Sequence, residues 1–479
     1  MSKITFNHTL SFSEFPPVSL EEWERRIRKD LKGANYKETL RWVSGEGVQP
    51  LPFYRREHND ELIHTSTPLY DKAQWTVIEK IDLTQISEAN QQALQALENG
   101  ASGLEFDLPP ESITSREGLE ELLKDIKIEL IGLYFAPQLS TAEMLSWLQE
   151  ICESRELNTD ALSIFFQYDA LAQSLRSGKL PSSSELSELY ASLVSPFSSF
   201  SVDAALYANS GATIVQQLAI ALAAGNELLG QAEKLDLSIP QMANSITFRF
   251  ATGPLYFLEI AKYRAFRLCW DQVVTAYEST SKVPHRLNIK ADTARWNQAQ
   301  ADAHNNMLRA TTEAMSAALG GCQAVTVARF NEQYAEHSAF AARIARNIQI
   351  ILQEEAYLDK VSDPAAGSYY VEKLTDSIAQ QGWKLFQRIE TKGGLYTSVK
   401  DGFIQDEIRA SKNEKIESYN QQQSVLVGIN KYHPPENQQE TGGNPADQSI
   451  PKIAYKESHE VTQLPELNIE AEIETGVQQ

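Results

Sequence analysis

The chain has 479 residues, a formal net charge of −21 and an apolar fraction of 42%. This length predicts two or three domains and a large buried core. Nucleic acids and anionic membranes repel an acidic surface, so the charge argues against both as partners. The three cysteines form no C-x-x-C pair, which argues against a zinc site or a disulfide framework and favours a reducing compartment. The sequence also lacks a basic leader and any apolar run of ~20 residues, which predicts a cytoplasmic protein.

Residues 1–70 are predicted to form an irregular arm that contains one amphipathic helix. Trp23, Ile27 and Leu31 are spaced four residues apart, and this spacing places them on one helix face. A helix of this length is marginal in water by itself, so the arm needs a surface on which to lie. That surface belongs either to the same chain or to a partner subunit.

Residues 71–420 carry the repeating pattern of an α/β fold. Short β-prone runs alternate with helical patterns, without long antiparallel hairpins. Eight strands are predicted, at residues 103–108, 128–135, 162–167, 200–206, 245–250, 286–289, 323–327 and 360–362. The count of eight favours a (β/α)8 TIM barrel over an open doubly wound sheet.

Residues 338–374 are predicted to form a helix, a turn and a strand. Ser338 caps the helix, and residues at helical spacing form its apolar face, namely Phe340, Ile344, Ile348, Ile351 and Leu352. Pro364 disfavours a helix at Asp363, so the chain turns there, and the β-prone residues 369–371 follow as a strand. Residues 421–479 are acidic with few aromatic residues, and this composition predicts a disordered tail.

The residues alone do not assemble a convincing catalytic set. In a barrel, chemistry takes place at the C-terminal ends of the strands, where Lys290 and Asp292 lie two residues apart. Such a pair is more often neutralised than catalytic. Asp363 more typically accepts backbone hydrogen bonds in its turn, and Arg249 and Arg264 are candidates to pair with a carboxylate or a phosphate. The eight histidines are scattered and lack the spacing of metal ligands.

Several stretches of the chain form a distinctive series of motifs. They are F-R-F-A-T-G-P-L-Y-F-L-E-I-A-K-Y-R-A at 248–265, H-N-N-M-L-R-A-T-T-E-A-M-S-A-A-L-G-G at 304–321, R-I-A-R-N-I-Q-I-I-L-Q-E-E with D-P-A-A-G-S-Y-Y-V-E within 343–372, and the shorter W-T-V-I-E-K at 75–80 and S-G-A-T-I-V-Q-Q at 210–217. In these stretches and in their order, the chain resembles methylmalonyl-CoA mutase. The opening F-P-P-V-S-L-E-E-W-E with D-L-K-G-A-N-Y resembles the arm with which the family's small subunit wraps its partner.

This resemblance implies a (β/α)8 barrel that holds an acyl-CoA, joined to a C-terminal domain that binds adenosylcobalamin. The implied reaction interconverts methylmalonyl-CoA and succinyl-CoA through radicals, with the cofactor supplying the homolysis and the protein shielding the radicals. The sequence contains no D-x-H-x-x-G motif of a cobalamin domain, and the residues after His433 are too few for such a domain. We therefore expect the cofactor in a partner subunit, and no cofactor or metal site in this chain.

Four positions depart from the pattern of the catalytic members. Their tyrosine aligns with Lys80, their carbonyl-contacting histidine aligns with Leu206, and Lys290 and Asp292 stand where they carry a histidine and a glutamine. A leucine cannot donate a hydrogen bond to a thioester oxygen, and a lysine cannot stack on a corrin as a tyrosine does. In either register, the strands at 128–135 and 162–167 also point bulky side chains inward, which predicts a filled barrel axis.

We therefore expect the small subunit of a heterodimeric mutase, inactive alone and structural in role. By this resemblance, Trp23, Ile27 and Leu31 bind the large catalytic subunit. Two alternatives stay open. One is a substrate-binding subunit of an acyl-CoA mutase whose cobalamin domain is on another polypeptide, and the other is a free-standing interaction protein built on a retired mutase barrel.

Overall fold

The computed structural model describes residues 14, 18–42, 44–59, 62, 69–71, 73–137, 142–277, 287–334, 338–434 and 455–477. The strands in these ranges are β1 (Thr76–Asp82), β2 (Gly103–Leu108), β3 (Gly132–Pro137), β4 (Ser163–Phe166), β5 (Lys179–Pro181), β6 (Phe200–Asp203), β7 (Ile246–Thr252), β8 (Asn288–Thr293), β9 (Ala324–Thr326) and β10 (Ser458–Glu460). The helices are α1 (Leu20–Asp30), α2 (Tyr36–Leu40), α3 (Ile86–Glu98), α4 (Arg116–Leu122), α5 (Ala142–Ser154), α6 (Ala170–Ser177), α7 (Ser183–Ser192), α8 (Ala204–Asn209), α9 (Ile214–Leu229), α10 (Ile239–Ser245), α11 (Tyr256–Tyr277), α12 (Asn305–Leu319), α13 (Ala339–Glu354), α14 (Tyr369–Thr391), α15 (Gly394–Lys400), α16 (Phe403–Asn420) and α17 (Ile469–Val477).

The chain divides into two compact units. The first consists of Met1–Ser44 with Val48–Tyr54, and the second of Gly45–Gly47 with Arg55–Gln479. The barrel lies in the second unit.

The first unit carries the apolar stripe predicted for the arm. Ser19 caps α1, since its hydroxyl accepts a hydrogen bond from a backbone N–H of the first turn. No residue of α1 is buried, and Trp23 stays 40% exposed although its ring contacts that of Phe53. Ile27 and Leu31 are half-buried. The assignment of these residues to partner binding stays a prediction.

Eight parallel strands of the second unit form a barrel. Their order is β4-β3-β2-β1-β9-β8-β7-β6, so strands that follow one another in the chain are neighbours, and β9 pairs with β1. The two remaining edge strands, β4 and β6, meet at Ser198, which lies just before β6. Its backbone forms hydrogen bonds with the backbones of Phe166 and Ile164 in β4, at 2.8 and 3.1 Å. The fold is therefore the (β/α)8 TIM barrel that the strand count predicts.

The outward faces of the strands pack against the surrounding helices. Phe248 of β7 lies between Phe266 and Trp270 of α11, with ring centroids 4.8 Å from each. Gly225 of α9 makes room for this cluster, because a Cβ atom there would lie 2.4 Å from the Trp270 ring. Helices α9 and α11 thus close over one side of the barrel.

Three features of the predicted strand pattern are wrong. The first barrel strand is β1, which the pattern does not include, and residues 360–362 form bends where it places the eighth strand. The bends lead into Asp363, whose φ of 43° lies in the left-handed region that strands do not use. The predicted strand at 128–135 is also displaced, because β3 begins only at Gly132.

The segment after this turn continues as a helix and not as a strand. Residues 369–371 form the first turn of α14, where the Ser368 hydroxyl accepts from the backbone N–H of Val371. The β propensity of Tyr369 and Tyr370 is overridden by this cap and by the burial of the helix behind it.

The buried face of α13 also differs from the predicted stripe. Phe340 and Ile351 are 55% and 47% exposed, so they do not belong to the packed face. Ile348 and Leu352 of the predicted stripe are buried, and the rest of the packed face consists of Ala341, Ala342, Ala345, Gln349 and the paired cation of Arg346.

The prediction of a disordered tail is wrong for the part of the tail that the structure describes. Strand β10 pairs antiparallel with β5, and Leu467, Ile469 and Ile473 are buried against the barrel. Residues 435–454 lie outside the described residues. The predicted domain limits of 1–70, 71–420 and 421–479 stay predictions.

Candidate functional site

The interior of the barrel is lined by every second residue of its strands. Because strand side chains alternate between two faces, the register places Lys80 beside Glu105 and Arg249 beside Lys290 on the inner face. The charged inner residues lie toward the C-terminal ends of the strands, and they are Lys80, Asp82, Glu105, Asp107, Asp203, Arg249, Lys290 and Asp292. In a TIM barrel this end carries the chemistry, so it is the candidate site.

Aromatic and apolar side chains contribute a packed layer to this interior. Tyr134 of β3 stacks on Phe165 of β4 with ring centroids 4.6 Å apart. Ile78 and Ala324 complete the cluster, and Tyr134 retains only 4% exposure. An eight-stranded barrel has room for little more than its own side chains, so two stacked rings take up a large part of this interior.

The centre of the charged layer is an ion pair that crosses the barrel. Lys290 of β8 contacts Glu105 of β2 at 2.8 Å, and these strands are not neighbours in the sheet. Lys290 also pairs with Asp292, and the Glu105 carboxylate accepts a hydrogen bond from Thr326 at 3.0 Å. Lys290 and Glu105 are 1% and 2% exposed. Each charge is therefore desolvated and compensated by the protein itself.

Arg249 extends this pairing toward β6. Its Nε donates to Asp292 at 2.6 Å, and its Nη1 lies 3.5 Å from Asp203. Asp203 also accepts from Arg176 at 2.5 Å. Burial alone would raise the pKa of Asp203, but the two guanidinium groups outweigh it and hold this pKa well below its ordinary value of 3.8. Glu105 likewise has a lowered pKa, since Lys290 and Arg249 outweigh the effect of its burial.

Lys80 is held by a second group of carboxylates. Its Nζ lies 2.9 Å from Glu332, 3.3 Å from Asp107 and 4.0 Å from Asp82. Burial alone would lower the pKa of Lys80, but these carboxylates outweigh it and raise the pKa above its ordinary value. Arg329 in turn pairs with Asp82 at 2.5 Å. Lys80 therefore stays protonated and paired, and it is unsuited to act as a general base.

The structure brings together three of the four predicted degenerate positions. All three lie in the charged layer, Lys80 in the second group of ion pairs and Lys290 with Asp292 in the first. Lys290 and Asp292 form the neutralised pair that the sequence favours. The predicted strand at 200–206 included Leu206, but β6 ends at Asp203 and Leu206 lies in α8. Its side chain is 1% exposed.

The sequence analysis missed the acidic partners of the network. Glu105, Asp203 and Glu332 stand in no recognised motif. The available signal is the alternation in G-L-E-F-D-L and F-S-V-D, where charged residues fall on one face of an otherwise apolar strand. In a closed barrel that face is the interior, so the charges require partners across the axis.

Within the described ranges, no group of three histidine, cysteine, aspartate or glutamate side chains is arranged to hold a metal ion. Every helix in the same ranges is too short or too polar to traverse a lipid bilayer.

The buried carboxylate of Glu313 in α12 makes the stability of the fold dependent on pH. Asn297 donates to its carboxylate at 2.7 Å, and burial, with a contribution from the charge of Glu259, raises its pKa to about 8. Between pH 4.5 and 8 the unfolded chain has lost this proton while the folded chain keeps it, so stability falls as the pH rises through this window. Below pH 4.5 this loss of stability is absent, and above pH 8 it is complete.

Glu313→Gln is therefore expected to stabilise the protein at pH 8 by about 2 kcal/mol and to have almost no effect near pH 4.5. Glutamine still accepts from Asn297 but cannot ionise. Urea unfolding of both proteins at pH 5, 6.5 and 8 measures this difference. The control is Glu120→Gln, at a carboxylate that is 48% exposed, and it reports the effect of the same substitution at the surface under the same conditions. A stability difference for Glu313→Gln that does not change with pH would contradict the assignment.

The fold and the site define a (β/α)8 barrel whose mouth is filled by charges that pair with one another. The methylmalonyl-CoA mutase family model matches residues 110–463. The chain therefore belongs to the methylmalonyl-CoA mutase family.

Three relatives illustrate this membership. The chain is 36% identical over 443 residues to the methylmalonyl-CoA mutase small subunit of Porphyromonas gingivalis, covering 88% of this chain and 71% of that protein. It is 29% identical to the small subunit of Streptomyces virginiae, with the same coverage. It is 30% identical to a methylmalonyl-CoA mutase of Cereibacter sphaeroides, covering 86% of this chain and 64% of that protein.

Proposed function

We propose that this chain is the non-catalytic small subunit of a heterodimeric methylmalonyl-CoA mutase. In this role it binds and stabilises a large catalytic subunit, which carries the adenosylcobalamin and interconverts methylmalonyl-CoA and succinyl-CoA. Two of the relatives described above are named small subunits of this enzyme.

The filled, self-neutralised barrel interior carries the proposal. An acyl-CoA chain threaded along the axis would have to displace the stacked rings of Tyr134 and Phe165. It would also separate Lys290 from Glu105 and deprive the buried Glu105 carboxylate of its paired cation. Removing the partner of a buried charge typically costs about 3–5 kcal/mol. A neutral pantetheine arm carries no charge that could offset this cost.

The position aligned with the carbonyl-contacting histidine also supports an inactive role. Leu206 is buried in α8 and brings no hydrogen-bond donor to a thioester oxygen. The alternative of a substrate-binding subunit requires such donors at the mouth. The cationic donors Lys80 and Arg249 there already serve carboxylates of the same chain.

The described residues do not fit the cobalamin cofactor. His433 and His459 are both exposed, and neither lies in a cluster of side chains able to hold a metal. The resemblance places a tyrosine against the corrin where Lys80 instead bonds to Glu332. We therefore expect this chain's own residues to take part in no cobalamin-dependent step.

Partner binding is expected to depend on the arm. Replacing Trp23 and Ile27 together with alanine should weaken binding of the large subunit about thirtyfold, since central aromatic and aliphatic contacts carry about 2 kcal/mol or more. Deletion of residues 1–35 should abolish it. Co-purification and surface plasmon resonance with the large subunit measure the effect.

The matched control is Arg26→Ala on the same helix, where the Arg26 side chain is 74% exposed. It should leave binding unchanged. None of these changes should shift the main thermal transition, because no residue of α1 is buried. Undiminished co-purification after the deletion would overturn the role of the arm.

A further inference from the structure

The C-terminal strap, defined as residues 461–473, runs along the rim of the barrel mouth. Four of its backbone amides donate to carbonyl oxygens of the segments that follow β4, β6 and β8. These bonds are Val461 to Gly178 (2.9 Å), Leu464 to Leu175 (2.8 Å), Leu467 to Asn209 (2.6 Å) and Ile469 to Trp296 (3.1 Å). The strap therefore lies on the side of the barrel where chemistry occurs in this fold.

Apolar side chains fix the strap in place. Leu467, Ile469 and Ile473 are 2%, 0% and 5% exposed, and they pack with Trp296 and Ala251 at the ends of β8 and β7. Burial of a leucine or isoleucine side chain contributes about 1.5–3 kcal/mol. These contacts anchor the strap without a contribution from the Glu466 side chain.

One charged residue of the strap reaches the ionic network of the mouth. The carboxylate of Glu466 pairs with the guanidinium of Arg295, and both side chains are about a quarter exposed, at 26% and 22%. Arg295 lies two residues after the end of β8. Its pKa is raised chiefly by the charge of Glu466, with a smaller contribution from Glu332, while burial acts in the opposite direction. The neighbouring Glu472 instead pairs with Lys412 at 3.2 Å and is 40% exposed.

We infer that Arg295 is a latent oxyanion-binding site, occupied in cis by the carboxylate of Glu466. A guanidinium offers a planar fork of donors that fits a carboxylate or a phosphate, and Glu466 supplies the contact that a free oxyanion would make. Because the apolar anchors hold Glu466 beside Arg295, its effective concentration is high and a weak free anion cannot compete. This inference is independent of the function proposed above.

The test is Glu466→Gln in the full chain, titrated separately with inorganic phosphate and with acetate by calorimetry. The variant is expected to bind at least one of these anions about tenfold more tightly than the unmodified chain, which corresponds to ~1.4 kcal/mol. The anion that binds more tightly identifies the chemical class of the ligand, a phosphate or a carboxylate. Glu472→Gln, on the same strap, should bind like the unmodified chain.

A second variant locates the site. Adding Arg295→Gln to Glu466→Gln should abolish the gain. Two results would overturn the inference, namely no gain in Glu466→Gln, or a gain that survives the loss of Arg295. Hydrogen exchange at the Leu467 and Ile469 amides provides the fold check, because these amides should stay protected in every variant while their anchors are intact.

Discussion

Replacing Arg264 with methionine is expected to lower the free energy of unfolding by about 3–5 kcal/mol. The Arg264 side chain has no exposed surface, and its Nη2 donates to both oxygens of Glu372 at 2.9 Å. Its Nη1 pairs with Asp363, which is also fully buried. Methionine fills much of the volume but leaves two buried carboxylates without their cation, and this loss dominates the effect.

The consequence extends beyond one ion pair because the triad fixes the turn between α13 and α14. Asp363 also accepts from the backbone N–H of Leu69 at 2.9 Å, and Glu372 accepts from that of Gly367 at 2.7 Å. The sequence predicts that Asp363 accepts backbone hydrogen bonds within its own turn, whereas this bond comes from Leu69, 294 residues away in the chain. Arg264 does pair with carboxylates, as the sequence analysis expects. Arg264 connects α11 to this turn and to the start of α14.

The control for this prediction is Arg388→Met. Arg388 pairs with Glu407 at 3.0 Å, with 57% of the arginine side chain exposed, and such surface pairs contribute about 0–1 kcal/mol. Equilibrium unfolding in urea compares both variants with the unmodified protein. If Arg264→Met is no more destabilising than Arg388→Met, the buried triad does not hold the turn.

The second prediction is that a single substitution at Leu206 does not restore mutase function. Leu206→His restores the residue type that the resemblance places at the substrate carbonyl, yet we expect it to restore neither acyl-CoA binding nor isomerisation. The new imidazole would stand in α8 while Tyr134, Phe165 and the Lys290–Glu105 pair still fill the interior. One donor cannot compensate for a barrel without room for the substrate.

The sequence predicted the barrel because strand and helix periodicities are local signals. Strand β2 was predicted with its observed limits, since its flanking turn residues and apolar alternation are local. Strand β1 was missed because T-V-I-E-K-I-D contains three charged residues. Their partners lie far along the chain, as Glu332 is 252 residues from Lys80 and Arg346 is 267 residues from Glu79.

The candidate site was harder to predict than the fold for the same reason. Lys290 and Asp292 were recognisable as a pair because they are two residues apart. The contact of Lys290 with Glu105 depends on closure of the barrel, which no local pattern reports. The C-terminal strap could not be predicted either. Its few apolar residues stand in an acidic segment, and it is ordered only because they pack against the barrel.

The central claim is that the barrel interior is occupied by its own paired side chains and therefore binds no acyl-CoA. Calorimetric titration of methylmalonyl-CoA into the purified chain, without a large subunit, tests this claim most directly. We predict no saturable binding, either for the unmodified chain or for Leu206→His. Saturable binding of one methylmalonyl-CoA per unmodified chain would contradict the account and support a substrate-binding role.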